Sequence, residues 1–193
     1  MLSSITPLGE RSRKQHFAVT AVFLLVGASV AAAALGALLG GLGAQLPLSS
    51  SERLAALGVA AALGLTVDLL FPGGVPTHLR QVDERWLRRY RGWVYGLGFG
   101  AQLGVGVATV VTTSAVYLTI LGEAFAPSIL AGAVIGALFG GIRGASVLLA
   151  AQVDTPARLL DFHRRISALE RPASAAVLAA QAVLAAVAIG VVL

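Results

Sequence analysis

The 193-residue chain is 57% hydrophobic and 12% charged, with a formal net charge of +5. A soluble domain contains about 25% charged residues, so the composition excludes a soluble domain, and its large apolar fraction excludes a disordered chain. The absence of cysteine excludes disulfides, thiolate metal sites and thiol redox chemistry. Twenty-three glycines in an apolar background are typical of closely packed transmembrane helices.

Runs without charged residues predict five membrane spans, since a helix needs about 20 apolar residues to cross the hydrocarbon core. The predicted spans cover residues 17–44, 53–71, 93–121, 128–151 and 173–193. The second is the weakest, because it is short and Asp68 interrupts it. We therefore expect an all-α fold, with residues 1–193 forming a single polytopic membrane domain of five transmembrane helices.

The basic residues predict the orientation of these spans. Twelve of the fourteen lie before the first span, between the second and third, or between the fourth and fifth. The positive-inside rule then places the N-terminus in the cytoplasm and the C-terminus outside, in a multi-pass protein of the plasma membrane. Acidic residues alternate with these arginines, so we expect the lipid bilayer and not nucleic acid as the partner of this charge.

The segments between spans carry weaker patterns. Residues 83–93 place Trp86, Tyr90 and Trp93 among arginines, which predicts an interfacial aromatic anchor. Residues 155–169 predict a short amphipathic helix on the membrane surface, with His163 solvated in it. No histidines have metal-ligand spacing and no nucleophile or phosphate-loop motif is present, so we expect no catalytic residue, metal or cofactor, and no enzyme.

The third span has two different faces. Three glycines recur every four residues and share one face: Gly96, Gly100 and Gly104. Polar side chains cluster on the opposite face: Gln102, Thr109, Thr113 and Tyr117. Two interpretations are open, since these polar groups can hydrogen-bond neighbouring helices or line a path for water or a solute.

The fourth span carries a ladder of small residues and one charge. Four glycines form the ladder: Gly132, Gly136, Gly140 and Gly144. Arg143 lies in the same stripe, and an ionisable residue at membrane depth indicates function unless it only snorkels to the interface. Of the acidic residues, Asp68 is the one at a similar depth, whereas Glu123 falls in an outer loop. We therefore predict an intramembrane Asp68–Arg143 pair with Gln102 nearby.

Two segments resemble the DsbD/CcdA-like membrane family, part of the LysE-type transporter group. Residues 5–9 (Ile-Thr-Pro-Leu-Gly) with the first two spans resemble its early helices. Residues 92–150, with Gly-Leu-Gly-Phe-Gly-Ala-Gln-Leu-Gly at 96–104, resemble its fourth and fifth helices. The resemblance implies six helices in two inverted three-helix repeats, with a Pro-Cys motif in helices one and four.

This sequence departs from that family pattern at two points. Ala101-Gln102-Leu103 lies where a Pro-Cys pair would fall, so the family's thiol relay of electrons is not carried over. Five spans are predicted instead of six, and residues 1–7 look like the end of the first helix and its turn.

The leading functional prediction is a transporter-like protein that moves a small solute or ion. The alternative is a structural or assembly subunit of a larger membrane complex, because the glycine ladders could dock a foreign helix. Under either reading we expect a homo-oligomer or a second membrane subunit as partner.

Overall fold

The computed structural model describes residues 5–77 and 85–192, which are mostly helical and contain no β-strand. The all-α prediction is confirmed for this part of the chain. Residues 83 and 84 of the predicted aromatic anchor, and Leu193 of the last predicted span, lie outside the described residues. The helices are α1 Pro7–Ser12, α2 Phe17–Gly43, α3 Ser50–Leu70, α4 Arg85–Arg89, α5 Gly92–Val105, α6 Ala115–Ala124, α7 Ile129–Ala145 and α8 Pro156–Val192, and a 3₁₀ turn Ser146–Ala150 extends α7.

Four helical segments are long and apolar enough to cross a membrane, which indicates a membrane protein. They are Phe17–Gly43, Ser50–Leu70, Ile129–Ala150 and Pro156–Gly190. The first three correspond to the predicted spans 17–44, 53–71 and 128–151. The fourth contains the predicted span 173–193 as far as the described residues extend.

The predicted third span, 93–121, is wrong as a single helix. Helix α5 ends at Val105, and α6 begins only at Ala115. Gly106 has a φ of +79°, which glycine adopts readily and which ends the helix. Residues 107–113 are almost all valine and threonine, whose branched side chains lower helix propensity. The conformation of Gly106 and this β-branched run together account for the interruption.

The last predicted span and the predicted surface helix 155–169 form one continuous helix. Helix α8 has 37 residues and includes Pro172. At about 1.5 Å per residue, it is about 55 Å long, so its charged first half extends well beyond a hydrocarbon core of about 30 Å. No glycine or turn sequence separates the two halves, and one proline removes only one backbone donor.

Helix α2 lies at the centre of the bundle and contacts α5, α6 and α7. Glycines on the neighbouring helices allow the backbones to touch. A methyl group added at Gly100 of α5 would come within 3 Å of the Leu24 carbonyl oxygen, and one at Gly136 of α7 would meet that of Ala32 equally closely. Helix α5 runs parallel to α2, and α7 runs antiparallel to it. This three-helix contact is the dry core of the molecule.

An internal repeat relates α2 and α7. Residues 35–44 read LGALLGGLGA and residues 135–144 read IGALFGGIRG, with five identical positions at a constant offset. The contacts are reciprocal, because Gly36 packs on Gly132 while Gly136 packs on Ala32. A two-fold axis between two antiparallel copies produces this reciprocity.

Helices α3 and α8 form a second, more exposed layer. They pack antiparallel through Gly58 and Ala188, while Gly64 lies against Ser114 at the start of α6. A capping box begins α3, in which Ser49 and Glu52 satisfy each other's backbone N–H groups. This layer brings Asp68, near the end of α3, to the interruption between α5 and α6.

Candidate functional site

The interruption between α5 and α6, residues 106–114, is the candidate functional site. At about 1.5 Å per residue, α5 is about 21 Å long and α6 about 15 Å, so neither alone crosses a core of about 30 Å. Gly104, two residues before the interruption, packs against Ala28 near the middle of α2. The non-helical chain therefore begins at the middle of the bundle, where backbone groups need partners other than lipid.

Asp68 holds the far end of the interruption. Its carboxylate accepts hydrogen bonds from the Ser114 N–H at 3.0 Å, the Ser114 hydroxyl at 2.8 Å and the Gln181 side-chain amide at 3.2 Å. Gln181 also donates to the Ser114 hydroxyl at 2.8 Å. Because Ser114 immediately precedes α6, the Asp68 charge lies at the positive end of that helix dipole. The cluster ties α3 and α8 to the first turn of α6.

Arg143 holds the near end of the interruption. Its guanidinium donates to the Thr109 hydroxyl oxygen at 2.9 Å, and that hydroxyl donates to the Gly106 carbonyl at 3.0 Å. The guanidinium carbon also lies 5.2 Å from the centre of the Phe139 ring. Arg143 thus fixes the first turn of non-helical chain after α5.

The predicted Asp68–Arg143 pair is wrong. In residues 5–77 and 85–192 no carboxylate forms an ion pair with Arg143, and Asp68 is bonded to Ser114 and Gln181 instead. The pair was predicted with an unbroken third span. The interruption places non-helical chain at that depth, and each charge binds a different end of it.

The remaining polar candidates divide into two groups. The Tyr117 hydroxyl donates to the Pro76 carbonyl, and the Thr77 hydroxyl accepts from the Val111 N–H at 2.7 Å, so the chain after α3 also contacts the interruption. The side chains of Gln102 and Thr113 are half-buried and make no hydrogen bond within the described part of the chain. The four polar residues of the predicted third span therefore do not form the polar face of one helix, since the interruption separates them.

The predicted packing glycines all lie in the dry core. The structure places Gly96, Gly100 and Gly104 of α5 on one side of α2, and it places Gly132, Gly136, Gly140 and Gly144 of α7 on another side. Gly96 approaches the Thr20 carbonyl and Gly140 that of Ala28. These positions have no polar side chain to offer a ligand.

A second polar cluster, absent from the sequence-based prediction, surrounds Glu10. This residue is fully buried, and its carboxylate accepts from Arg13 at 2.7 Å, the Thr20 hydroxyl at 2.8 Å and the Tyr95 hydroxyl at 2.5 Å. Helix α1 is thereby anchored against the first turns of α2 and α5. Both oxygens of this carboxylate therefore accept hydrogen bonds from within the chain.

Glu123 also differs from its predicted position. It lies in the last turn of α6 with 1% of its surface exposed, and not in an outer loop. One of its carboxylate oxygens has no hydrogen-bond partner among the described residues. The loop prediction failed because the interruption moves α6 toward the outer end, so that the helix continues to Ala124.

Some of these missed residues left a signal in the sequence. Ser114 follows a β-branched run and precedes Ala-Val-Tyr-Leu, which is an N-cap signature. Gln181 is the one amide side chain within residues 173–193, and an isolated polar residue in an apolar span indicates a specific partner. Glu10 gave no such signal, because neighbouring basic residues make residues 10–14 read as an exposed charged segment.

No protein-family model, curated protein or solved structure matches this chain. Among the described residues, no group of three or more His, Asp or Glu side chains could hold a metal ion. The functional argument therefore rests on the interrupted helix and the charges at its two ends.

Proposed function

We propose that this protein is a five-span membrane transporter that moves a small solute or ion past the interrupted third span. The observation that carries the proposal is the non-helical segment 106–114 in the middle of the bundle, held by Arg143 at one end and Asp68 at the other. Non-helical backbone at membrane depth is tolerated where protein buries it or where it lines a water-filled cavity. In secondary transporters, binding sites near the midplane are typically formed by discontinuous helices.

The packing directions support a topology of five crossings with α5 and α6 together as the third. Helix α2 runs parallel to α5 and antiparallel to α7, and α3 runs antiparallel to α8. The loop between α2 and α3 and the loop between α6 and α7 both lack clusters of basic residues. They also lie close together, because Arg53 in the first turn of α3 donates to the carbonyls of Leu46 and Phe125. Alternating crossings with a cytoplasmic N-terminus at the plasma membrane satisfy both the packing directions and the distribution of arginines.

The resemblance to the DsbD/CcdA-like family is consistent with this proposal. The reciprocal contacts of α2 and α7, and the antiparallel pair of α3 and α8, are the arrangement that inverted repeats would give. The proposal requires only the transporter architecture, and no thiol chemistry, from that family.

The test uses the absence of cysteine in the natural chain. Val110 of the interruption is 44% exposed and Leu138 on the outer face of α7 is 62% exposed. With the protein in lipid vesicles, Val110→Cys should react with a membrane-impermeant thiol reagent, because the interruption faces water. Leu138→Cys is the matched control and should stay unreactive, because it faces lipid.

Two exposed serines report the orientation in the same vesicles. Ser50→Cys at the start of α3 and Ser167→Cys in the first half of α8 should react from opposite sides of the membrane. Reaction of both from one side would overturn the five-span topology. Failure of Val110→Cys to react from either side would overturn the solute path.

A second candidate function is a non-transporting subunit of a larger membrane complex. It is favoured by an apolar groove of about 370 Å³ between α3 and α8, lined by small residues such as Ala55, Gly58 and Ala62. Small residues allow a foreign helix to approach closely. The thiol reactivity of Val110→Cys distinguishes the candidates, since no reaction in a protein that purifies in detergent as a homo-oligomer or hetero-complex would favour the subunit.

A further inference from the structure

The geometry assigns a binding site for a small anion, a carboxylate or an inorganic oxyanion, to Arg143 and the unpartnered backbone N–H groups of Ala108, Val110, Thr112 and Thr113. This assignment rests on the proposed transport function and names the class of its solute. Three independent observations support it: an uncompensated cation, unpartnered N–H groups and a broken internal repeat.

The first observation is the charge of Arg143. A guanidinium has five N–H donors and stays protonated, and this one makes a single hydrogen bond, to Thr109, within the described part of the chain. No carboxylate among the described residues forms an ion pair with it. A cation at membrane depth pairs with an opposite charge, binds carbonyl groups or reaches water, and among the described residues the Arg143 guanidinium contacts only the Thr109 hydroxyl and the face of the Phe139 ring.

The second observation concerns the backbone next to Arg143. Between residues 107 and 114, the N–H groups of Val107, Thr109, Val111 and Ser114 have partners. Four further N–H groups have none among the described residues, namely those of Ala108, Val110, Thr112 and Thr113. Consecutive unpartnered N–H groups in non-helical chain form concave sites that bind anions, and those of Thr112 and Thr113 are consecutive, whereas those of Ala108 and Val110 alternate with bonded ones. Ala108, Val110 and Thr112 are exposed, so an anion can reach this backbone.

The third observation is the internal repeat. Residues 31–42 and 131–142 share the same pattern of buried and exposed positions, and the packing glycines Gly36 and Gly40 correspond to Gly136 and Gly140, while Ala32 corresponds to Gly132. The repeat then diverges, because Gly43 in the first copy corresponds to Arg143 in the second. Gly43 packs against the Ala124 carbonyl, whereas Arg143 reaches toward the interruption. Helix packing therefore does not require an arginine at this position. The arginine occurs only in the second copy, and there its side chain contacts the interruption.

Asp68 does not take over this role. Its carboxylate already accepts from Ser114 and Gln181 and lies at the start of α6, so both its hydrogen bonds and its charge are compensated locally. The two ends of the interruption therefore differ: the Asp68 end is closed by the chain itself, and the Arg143 end is open to a ligand.

The experiment compares two thiol reagents of opposite charge on Val110→Cys. The probes are an anionic sulfonatoethyl and a cationic trimethylammonium-ethyl methanethiosulfonate, applied to the purified full-length protein. We expect the anionic reagent to react faster than the cationic one. The ratio of the two reaction rates should fall by about tenfold or more when Arg143→Gln is added, because one fixed charge sets the local ion concentration. Arg143→Lys keeps the charge and should keep most of the preference. Inorganic phosphate and acetate should each slow the anionic reagent if they occupy the site.

The outcomes separate this inference from the proposed function. No reaction with either reagent would show that water does not reach the interruption, and both proposals would fall. Reaction without a charge preference, or a preference unchanged by Arg143→Gln, would leave the solute path standing and overturn the anion site. If Arg143→Gln does not fold, competition by phosphate or acetate in the protein with natural Arg143 tests the anion site. If neither anion slows the anionic reagent, the anion site is contradicted. Slowing by phosphate alone identifies an oxyanion site, and slowing by acetate alone a carboxylate site.

Discussion

The polar clusters around Glu10 and around Arg143 are both partly or wholly removed from solvent, but they are completed in opposite ways. Glu10 is fully buried and receives hydrogen bonds from Arg13, Thr20 and Tyr95, so its charge is balanced inside the chain. Arg143 has one hydrogen bond and no carboxylate partner among the described residues. A charge that the fold itself satisfies indicates a structural role, whereas a charge left open beside exposed backbone indicates a role toward a ligand.

The first way to test this comparison is to remove the Glu10 carboxylate. Glu10→Ala removes the buried carboxylate that accepts from Arg13 and leaves the buried hydroxyls of Thr20 and Tyr95 without this acceptor, which should lower the free energy of unfolding by about 3–5 kcal/mol. The control is Asp161→Ala, which removes an exposed ion pair with Arg164 at 3.7 Å and should cost less than about 1 kcal/mol. Reversible unfolding in detergent micelles with increasing SDS measures both. Equal losses for the two variants would contradict a structural role for the Glu10 cluster.

The dry core on the other side of α2 predicts a smaller loss. Gly136→Ala would bring a methyl group within 3 Å of the Ala32 carbonyl oxygen, so the helices must separate at a cost of about 1–3 kcal/mol. Gly36→Ala, the equivalent position in the repeat, meets the Gly132 carbonyl in the same way and should lose a similar amount. Gly122→Ala is the control, because no atom lies within 4 Å of its added methyl group.

The same unfolding experiment can contradict the two-fold relationship. If Gly36→Ala is tolerated while Gly136→Ala is not, the two copies do not pack through equivalent positions. Gly122→Ala should be neutral or stabilising, because alanine has a higher helix propensity than glycine, so destabilisation equal to that of Gly136→Ala would show that backbone contact does not set the losses.

Sequence patterns predicted the dry core better than the polar site, for a physical reason. Glycines that recur every four residues on a helix share a face whatever their partner is, so Gly132 to Gly144 could be read as one packing stripe. The polar residues 109–117 were placed by the same helical period, and that period does not apply to non-helical chain. Gly106 and the run of valine and threonine after it were the available signals for the break.

Partners across long sequence separations could not be predicted in the same way. Gln181 reaches Asp68 only because α8 packs antiparallel to α3, and the register of two helices depends on side-chain packing that a single sequence does not display. Glu10 becomes buried because α1 folds back onto Thr20 and Tyr95, although its local sequence is that of a solvated segment. Span positions followed from composition, but charge partners followed from tertiary structure.

The smallest expected effect is the coupling between Asp68 and Arg143. Asp68→Asn weakens the hydrogen bonds from Ser114 and places an amide against donors, which should cost about 1–3 kcal/mol. Arg143→Gln removes the contact with Thr109 at the other end of the interruption. Because the two residues share no hydrogen-bond partner, the losses should add within about 0.5 kcal/mol in the double variant. Unfolding of the two single variants and the double variant in SDS gives this coupling energy directly.

A coupling well above that value would mean that the two charges interact through the non-helical segment, since no direct pair joins them. The Asp68 carboxylate would then be compensating the Arg143 guanidinium at a distance, and an external anion would have less charge to balance. Additive losses leave Arg143 without a counter-charge among the described residues. They also separate the two ends of the interruption energetically, so that the Asp68 end can hold α6 in place while the Arg143 end exchanges its ligand.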